Sequence, residues 1–297
     1  MLMNEIRLAQ KGETVRQKDI WKLCFGDSDG YIDFYYANRY KEDETVVLLH
    51  DGEIRAMLTM IPVKTVLPDQ RSLDTVMLYA IATHPQYQHK GLATQLMNFV
   101  NQYLNTAKTE LSVLVPAKAQ LFDYYLKHGY RNGFYIRETQ LFLDRVDSRP
   151  FKKLYECTIY PVAPKEYNRR RNNQLYGRLY ISYTDEDIAY QKKLSQQSGT
   201  DIYAVDIEGI EGCLTVERMS SDKVQIKEFL LPEDFINTAI TQIVQQVSAK
   251  EYILRTPAYI GKQLGGIVRP FGMIRSPSEI DLVTTPENSG YLGFAFD

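Results

Sequence analysis

An apolar strand that runs through a glycine-bearing turn into an amphipathic helix constrains this 297-residue chain more than any other feature. Residues Val76-Met77-Leu78-Tyr79-Ala80-Ile81-Ala82-Thr83 read as the strand, and Pro85, just past His84, ends it because proline brings no donor to a ladder. Leu92, Leu96, Phe99, Val100, Tyr103 and Leu104 then recur at helical spacing and put one continuous apolar stripe on one face. Between strand and helix lies Gln88-His89-Lys90-Gly91-Leu92-Ala93. A helix start offers unpaired N–H groups and the positive end of its dipole, and a glycine there lets an anion come close. The turn therefore suits phosphate oxygens. Taken alone, a glycine near a helix start is ordinarily no more than a turn.

A second unit of the same kind follows. Leu111-Ser112-Val113-Leu114-Val115 is a short apolar strand, and after Pro116 a helix is expected from Ala117 to His128, closed by Gly129. Its last turn reads Tyr125-Leu126-Lys127-His128-Gly129-Tyr130. Upstream, Ile6 to Leu8 reads as a strand, helices are expected near Arg16–Phe25 and Tyr31–Tyr40, and Asp51-Gly52 joins two apolar runs as a hairpin. Strands near 133–145 complete a β-α-α-β-β-β-α-β-α-β order, an α+β (mixed α/β) class of fold.

Gln88, Gly91 and Ala93 fill a Gln-x-x-Gly-x-Ala pattern that resembles the coenzyme A diphosphate loop of the GNAT N-acetyltransferase superfamily, and the segment at Tyr125 is similar to that family's second signature. The resemblance covers one whole GNAT domain over residues 1–146. It implies the GNAT acyl-CoA N-acyltransferase fold, acetyl-CoA as co-substrate and no metal. It assigns Gln88, His89, Lys90, Gly91, Leu92, Ala93 and Thr94 to the diphosphate, and the backbone of Ile81, Ala82 and Thr83 to the pantetheine arm, as an added strand pairs with a sheet edge. Tyr125 becomes the acid that protonates the departing thiolate. A free phenol titrates at about 10 and a thiol at about 8.5, so the phenol still holds its proton at neutral pH. Tyrosine is abundant here, 22 of 297 residues, so the spacing and not the residue type carries this assignment; Tyr124 beside it reads as core.

The second half repeats part of the first. Strands are expected at Gly212–Met219 and Lys223–Leu231, followed by a helix whose apolar positions Ile236, Ile240, Ile243, Val244 and Val247 lie 144 residues after Leu92, Leu96, Phe99, Val100 and Tyr103. Pro257-Ala258 echoes Pro116-Ala117. At the same offset, Pro232-Glu233-Asp234 stands where the first half has its loop, and two carboxylates there repel a diphosphate. Residues 147–297 are thus expected to be a degenerate GNAT-like domain without a coenzyme site, serving the acceptor side and the fold. This layout resembles the Eis-type tandem acetyltransferases without their sterol-carrier-like third domain. In that group the terminal carboxylate of the third domain reaches the active site as base; the sequence leaves open whether Asp297 reaches so far.

Composition excludes other classes. Thirty-five basic and 37 acidic residues give a net charge of −2, so no polybasic field points to nucleic acid or a membrane surface. Arg169-Arg170-Arg171 is expected to be a solvated loop or helix face. Cys24, Cys157 and Cys213 are widely spaced and form neither a disulfide framework nor a zinc site. Without an apolar leader or a run of ~18–20 apolar residues, the chain is expected to be cytoplasmic.

The chemistry implied is direct attack by the amine of a small molecule or peptide on the acetyl thioester. Deprotonating a lysine-like amine at pH 7 costs about 4.6 kcal/mol, an α-amine only about 1 kcal/mol. Residues 76–83 hold no carboxylate to act as base, and His84 reads as a polar strand end. Trp21, Phe25, Tyr31, Phe34, Tyr35 and Tyr36 with Asp27, Asp29 and Asp33 form a candidate aromatic and acidic mouth for a cationic acceptor, or else packing and a turn. Two other readings compete. A non-catalytic acyl-CoA-binding module keeps the loop without turnover, and an aminoacyl transferase of the tandem-GNAT kind explains the doubling but ordinarily lacks an intact loop. The sequence leaves the oligomeric state open.

Overall fold

Alternation of short apolar strands with a few amphipathic helices produces a mixed α/β molecule. The computed structural model describes residues 4–143, 155–276, 282, 284–286 and 288–296. Both the expected boundary at 146 and Asp297 lie outside the described residues. Contacts divide the chain into two units. The first holds Met1–Val63, Asp74–Arg131 and Met273–Ile280; the second holds Lys64–Leu73, Asn132–Gly272 and Asp281–Asp297.

In the first unit, β1 (Asn4–Leu8) pairs antiparallel with β2 (Thr45–His50), and β2 pairs antiparallel with β3 (Glu53–Val66) across the Asp51-Gly52 turn. Both turn residues adopt positive φ, as a tight hairpin requires. β4 (Ser72–Thr83) follows, and β5 (Leu111–Leu114) lies parallel to it from Thr75↔Leu111 to Leu78↔Leu114. The other side of β5 pairs antiparallel with Met273–Arg275, the end of β13 (Ile267–Arg275). Helices α1 (Thr14–Phe25) and α2 (Asp29–Asn38) precede β2; α3 (Leu92–Thr106) crosses from β4 to β5. Leu92, Leu96, Met97, Val100 and Leu104 of α3 are buried against Val46, Leu48, Leu58, Leu78 and Leu114. Each such side chain contributes about 1.5–3 kcal/mol. Phe99 and Tyr103, expected on the same stripe, flank it: Phe99 is half-buried and Tyr103 is exposed.

The helix expected over 117–128 is shorter. α4 spans Leu121–Leu126, and Ala117–Gln120 form an irregular turn instead. Gly129, at φ +82°, closes it: the Gly129 N–H reaches Leu126 O and the Tyr130 N–H reaches Tyr125 O.

The second unit repeats that order. β9 (Ile202–Ile207), β10 (Ile210–Arg218) and β11 (Lys223–Leu230) are antiparallel neighbours, α7 (Ile236–Gln246) crosses over, and β12 (Glu251–Pro257) lies parallel to β11. β7 (Cys157–Pro161) pairs antiparallel with β9, as β1 does with β2. α5 (Pro164–Gln174) and α6 (Asp185–Gln197) stand where α1 and α2 stand, with β8 (Tyr180–Ser182) between them pairing with Lys64–Val66. The far side of β12 pairs antiparallel with β6 (Arg131–Phe142). Ile236, Ile240, Ile243 and Val244 are buried in this unit's own core. The elements β7, β8, β9, α5 and α6 were not anticipated.

Arg169-Arg170-Arg171 is not the solvated run expected. It lies on α5, where a turn of ~100° per residue sends its members to different surroundings. Arg171 is fully buried and bonds Glu228, itself fully buried, through Nε at 3.0 Å; it also donates to Ile181 O and Leu292 O. Arg170, nearly as buried, pairs with Asp206 at 2.5 Å, while Arg169 holds Glu166 and Glu211 nearer the surface. Among the described residues, no helix is long and apolar enough to cross a membrane.

Candidate active site

β4 and β5 part after Leu78↔Leu114. Two residues on, Ala80 sits at φ +50°, a strained conformation for a residue with a Cβ, which breaks the ladder and turns the following backbone. Into the opening falls a cleft of about 460 Å³, lined by Ile81, Ala82 and Thr83 of β4 and by Gln88, His89, Gly91, Leu92, Ala93 and Thr94 of the turn and first helical residues. Tyr124 and Tyr125 of α4 and the turn residues Ala117, Lys118 and Gln120 also face it. So do Cys24 and Phe25 at the end of α1, and Tyr87.

The turn is shaped for an anion. His89 (φ +61°) and Gly91 (φ +78°) are both left-handed and bracket Lys90. Such alternation points successive N–H groups into one concavity. The backbone N–H groups of residues 89–94 find no partner among the described residues, whereas Gln95 N–H already closes onto Gly91 O at 3.0 Å. A Cβ on Gly91 would meet nothing within 4 Å, so the space beside it is open. These donors fit a diphosphate. Lys90 is the one expected site residue outside the cleft lining. Its Nζ lies 4.7 Å from the centre of the Tyr87 ring, and the Arg55 guanidinium lies 4.3 Å from it. Burial, with Arg16 and Arg55 adding to it, lowers the His84 pKa, a sign of the positive field on this edge.

Gln88 holds the turn in place, since its Nε2 donates to Thr83 O at 3.1 Å and ties the turn to the end of β4. Cys24 Sγ donates to the same carbonyl at 3.2 Å. The Thr83 carbonyl, expected to be free for a pantetheine arm, is therefore already taken. His84 is the strand end anticipated: Nδ1 accepts from Gln86 N–H at 3.3 Å.

Tyr125 is buried, 5% exposed, yet its ring faces the cleft. Burial, then Tyr124 and Tyr130, push its phenol well above the usual range, so it holds its proton across neutral pH. The acidic mouth is largely neutralised. Asp33 pairs with Lys18 at 2.7 Å and Asp29 with Lys22 at 2.8 Å, while Asp27 accepts from Trp21 Nε1 at 2.7 Å. Trp21 and Tyr35 are buried, their ring centres 4.8 Å apart. Among the described residues no group of His, Cys, Asp and Glu is placed to hold a metal.

With this geometry described, the chain can be set beside known proteins. Residues 5–133 match the model of the acetyltransferase (GNAT) domain. That match marks residues 5–133 as similar to a GNAT acetyltransferase domain and covers less than half of the chain. No curated protein sequence matches it. A conserved protein of unknown function from Enterococcus faecalis, described as a probable N-acyltransferase, shares the fold with a TM-score of 0.74 at 14% identity, over 93% of this chain and 73% of that one. A GCN5-related N-acetyltransferase from Anabaena variabilis gives 0.72 at 16% identity, over 92% and 73%. Eis1 from Mycobacterium abscessus gives 0.67 at 10% identity, again over 92% and 73%. Nearly the whole chain, both halves included, thus shares the fold of these three structures.

Cys24, Phe25, Tyr87, Lys118 and Tyr124 face the cleft without having been singled out for it. Cys24 and Phe25 reach it through the packing of α1 on β4, which no local spacing encodes. Tyr87 had a legible signal in its place directly before Gln88.

Proposed function

We propose that the protein is an acetyl-CoA-dependent N-acetyltransferase, acting on the amine of a small molecule or peptide. The observation that carries this reading is the turn at residues 88–94, whose unpartnered amides and open Gly91 lie in one cleft with the parted strand β4 and the Tyr125 ring. Acetyl-CoA supplies an acyl group activated as a thioester. The amides of residues 89–94 and the dipole of α3 hold its diphosphate, and the Ile81 and Ala82 backbone beyond the bulge aligns the pantetheine arm. A backbone N–H there polarises the thioester carbonyl. As the amine nitrogen bonds to the acetyl carbon and the carbon–sulfur bond breaks, Tyr125 gives its proton to the departing sulfur; the nitrogen sheds one proton to solvent, and solvent returns one to the phenolate.

The acceptor approaches from the α1–α2 side. With Asp29 and Asp33 held by lysines, this mouth attracts cations less than its composition suggests, which favours an amine of low intrinsic pKa that attacks without a strong base. The second unit has no coenzyme site and supports the fold and the acceptor side; Lys90, beside the loop, steers the anion electrostatically. We place the protein in the cytoplasm, where its three free thiols stay reduced. The test is calorimetry with acetyl-CoA followed by thiol release across a panel of amines. Binding with amine-dependent release of free thiol supports the reading. Binding without turnover on any amine would make the protein a coenzyme-binding module.

A further inference from the structure

The parted strands of the first unit have a counterpart in the second, and there the opening is filled. β11 and β12 part after Ile226↔Leu254, as β4 and β5 do after Leu78↔Leu114. Two residues on, where β4 has Ala80, β11 has Glu228. Its fully buried carboxylate accepts from Tyr167 Oη at 2.8 Å and from Arg171 Nε at 3.0 Å. Residues 289–296 lie against that pair. Arg171 Nη2 donates to Leu292 O at 3.2 Å, and the Tyr183 hydroxyl is shared between Leu292 O and Phe294 O. A Cβ on Gly293 would collide with the Glu228 carboxylate and the Arg171 guanidinium.

This segment is held as a bound peptide is held. It belongs to none of the strands above and pairs through isolated bridges at Gly290 and Tyr291. Gly290 N–H donates to Gly133 O at 3.1 Å, Tyr291 N–H to Leu179 O at 2.9 Å, and Tyr291 O accepts from Ile181 N–H of β8 at 2.9 Å. Main-chain bonds to an edge, with side chains in pockets, are how a domain takes an extended peptide. Here the pockets are aromatic. Phe294 packs on Tyr167 and Tyr183 with ring centres 6.1 and 5.8 Å away, and Phe296 on Tyr183 and Tyr190 at 5.8 and 6.0 Å. Tyr167 belongs to α5 and Tyr190 to α6, the counterparts of α1 and α2. Both phenylalanines are buried.

We propose that the space between α5, α6 and the parted end of β11 is a peptide-binding site, and that residues 289–296 fill it in cis. Its ligand class is an extended segment with a glycine followed by aromatic residues two apart. The Arg171–Glu228 pair then serves recognition: the guanidinium takes a peptide carbonyl, and the carboxylate leaves room beside it only for glycine. The site stands whether or not the first unit binds acetyl-CoA.

The test combines hydrogen exchange on the full chain with a fluorescein-labelled peptide of residues 288–296. Gly293→Val should expel the segment, so that amides of 288–296 and of Ile181 lose protection while β9, β10 and α7 keep theirs. The opened site should then bind the peptide and regain protection at Ile181. The parent, with its site filled, should bind it at least about 100-fold more weakly, because apparent affinity scales with the fraction of open sites. A peptide carrying Phe294→Ala and Phe296→Ala should not bind. Tyr183→Phe is milder, removes only the hydroxyl on Leu292 O and Phe294 O, and decides the matter if Gly293→Val does not fold. It should raise exchange in 288–296 and at Ile181 alone. Unchanged protection of 288–296 in the folded variant would overturn the proposal. So would exchange rising across β9, β10 and α7 in Tyr183→Phe, which makes the segment part of the unit's core. An opened site that takes no peptide, or takes the alanine form equally well, would overturn it too, as would equal binding by the parent.

Discussion

α3 and α7 pack alike and begin in opposite chemistry. Each crosses from one strand to its parallel neighbour and buries the same positions: Leu92, Leu96 and Val100 in α3, Ile236, Ile240 and Val244 in α7. α3 starts from Gly91, left-handed, with open space beside it and unpartnered amides around it. α7 is preceded by Glu233, whose carboxylate accepts from Gly261 N–H at 2.5 Å and Gln263 N–H at 2.9 Å. The second unit therefore ties its own carboxylate to backbone donors of the turn after β12. The comparison teaches that the packing stripe and the ligand turn are separable. The stripe is fixed by sheet geometry and recurs, whereas an anion site needs a few residues at the helix start and disappears when they change.

Several experiments would break or sharpen this contrast. The largest expected effect is on chemistry in the first unit. Tyr125→Phe keeps the ring and removes the proton donor, so kcat should fall by roughly 10²–10⁴-fold while coenzyme affinity stays near the parent's. Because burial raises the Tyr125 phenol, kcat governed by this group should show no alkaline loss below about pH 10. Turnover within a few-fold of the parent, with chemistry limiting, would make Tyr125 a packing residue.

In the second unit the strongest single anchor is ionic. Arg171→Met leaves Glu228 buried and uncompensated, a loss of about 3–5 kcal/mol. The urea midpoint should drop markedly, with coenzyme binding per folded molecule preserved. Replacing the Glu233 carboxylate has a smaller effect. Glu233→Ala leaves the Gly261 and Gln263 amides without their acceptor and should cost about 1–3 kcal/mol, read from the same midpoint. No change there would mean that the turn after β12 does not depend on Glu233.

The smallest effect concerns pH. Arg169, then Arg170, hold the Glu166 carboxyl down at about 2 from an ordinary 4.5. A depressed carboxyl stabilises above its unfolded value and loses that contribution as pH falls through its folded one. The acid limb between about 4.5 and 2 should therefore be slightly flatter in Glu166→Gln, and the difference should shrink with added salt because the pair is partly exposed. Identical acid limbs would remove Glu166 from the account.

Much of the first unit was legible because its information is local. The Gly91 turn, the α3 stripe and the Asp51-Gly52 hairpin each declare themselves within a few residues. What was illegible depends on distant partners. Arg171 reads as surface until Glu228, 57 positions away, is seen beside it. The aspartates near α1 read as an acidic mouth until Lys18 and Lys22 neutralise two of them. The positive φ at Ala80 and His89 leaves no mark in residue type. Nor did the sequence disclose that residues 273–280 group with the first unit, where Met273–Arg275 pairs with β5. A fragment ending at 146 lacks that strand, exposes the edge of β5 and should aggregate where the full chain does not.

The central claim is that one helix start in this chain binds coenzyme A and its counterpart does not. Calorimetric titration of acetyl-CoA into the parent protein and into Gly91→Glu tests it most directly, with circular dichroism to confirm that the variant is folded. Gly91→Glu places a side chain and a negative charge in the open space proposed for the diphosphate. The account predicts one molecule bound per chain in the parent and none in the variant. Two molecules per chain, or parent-like affinity in folded Gly91→Glu, would contradict it.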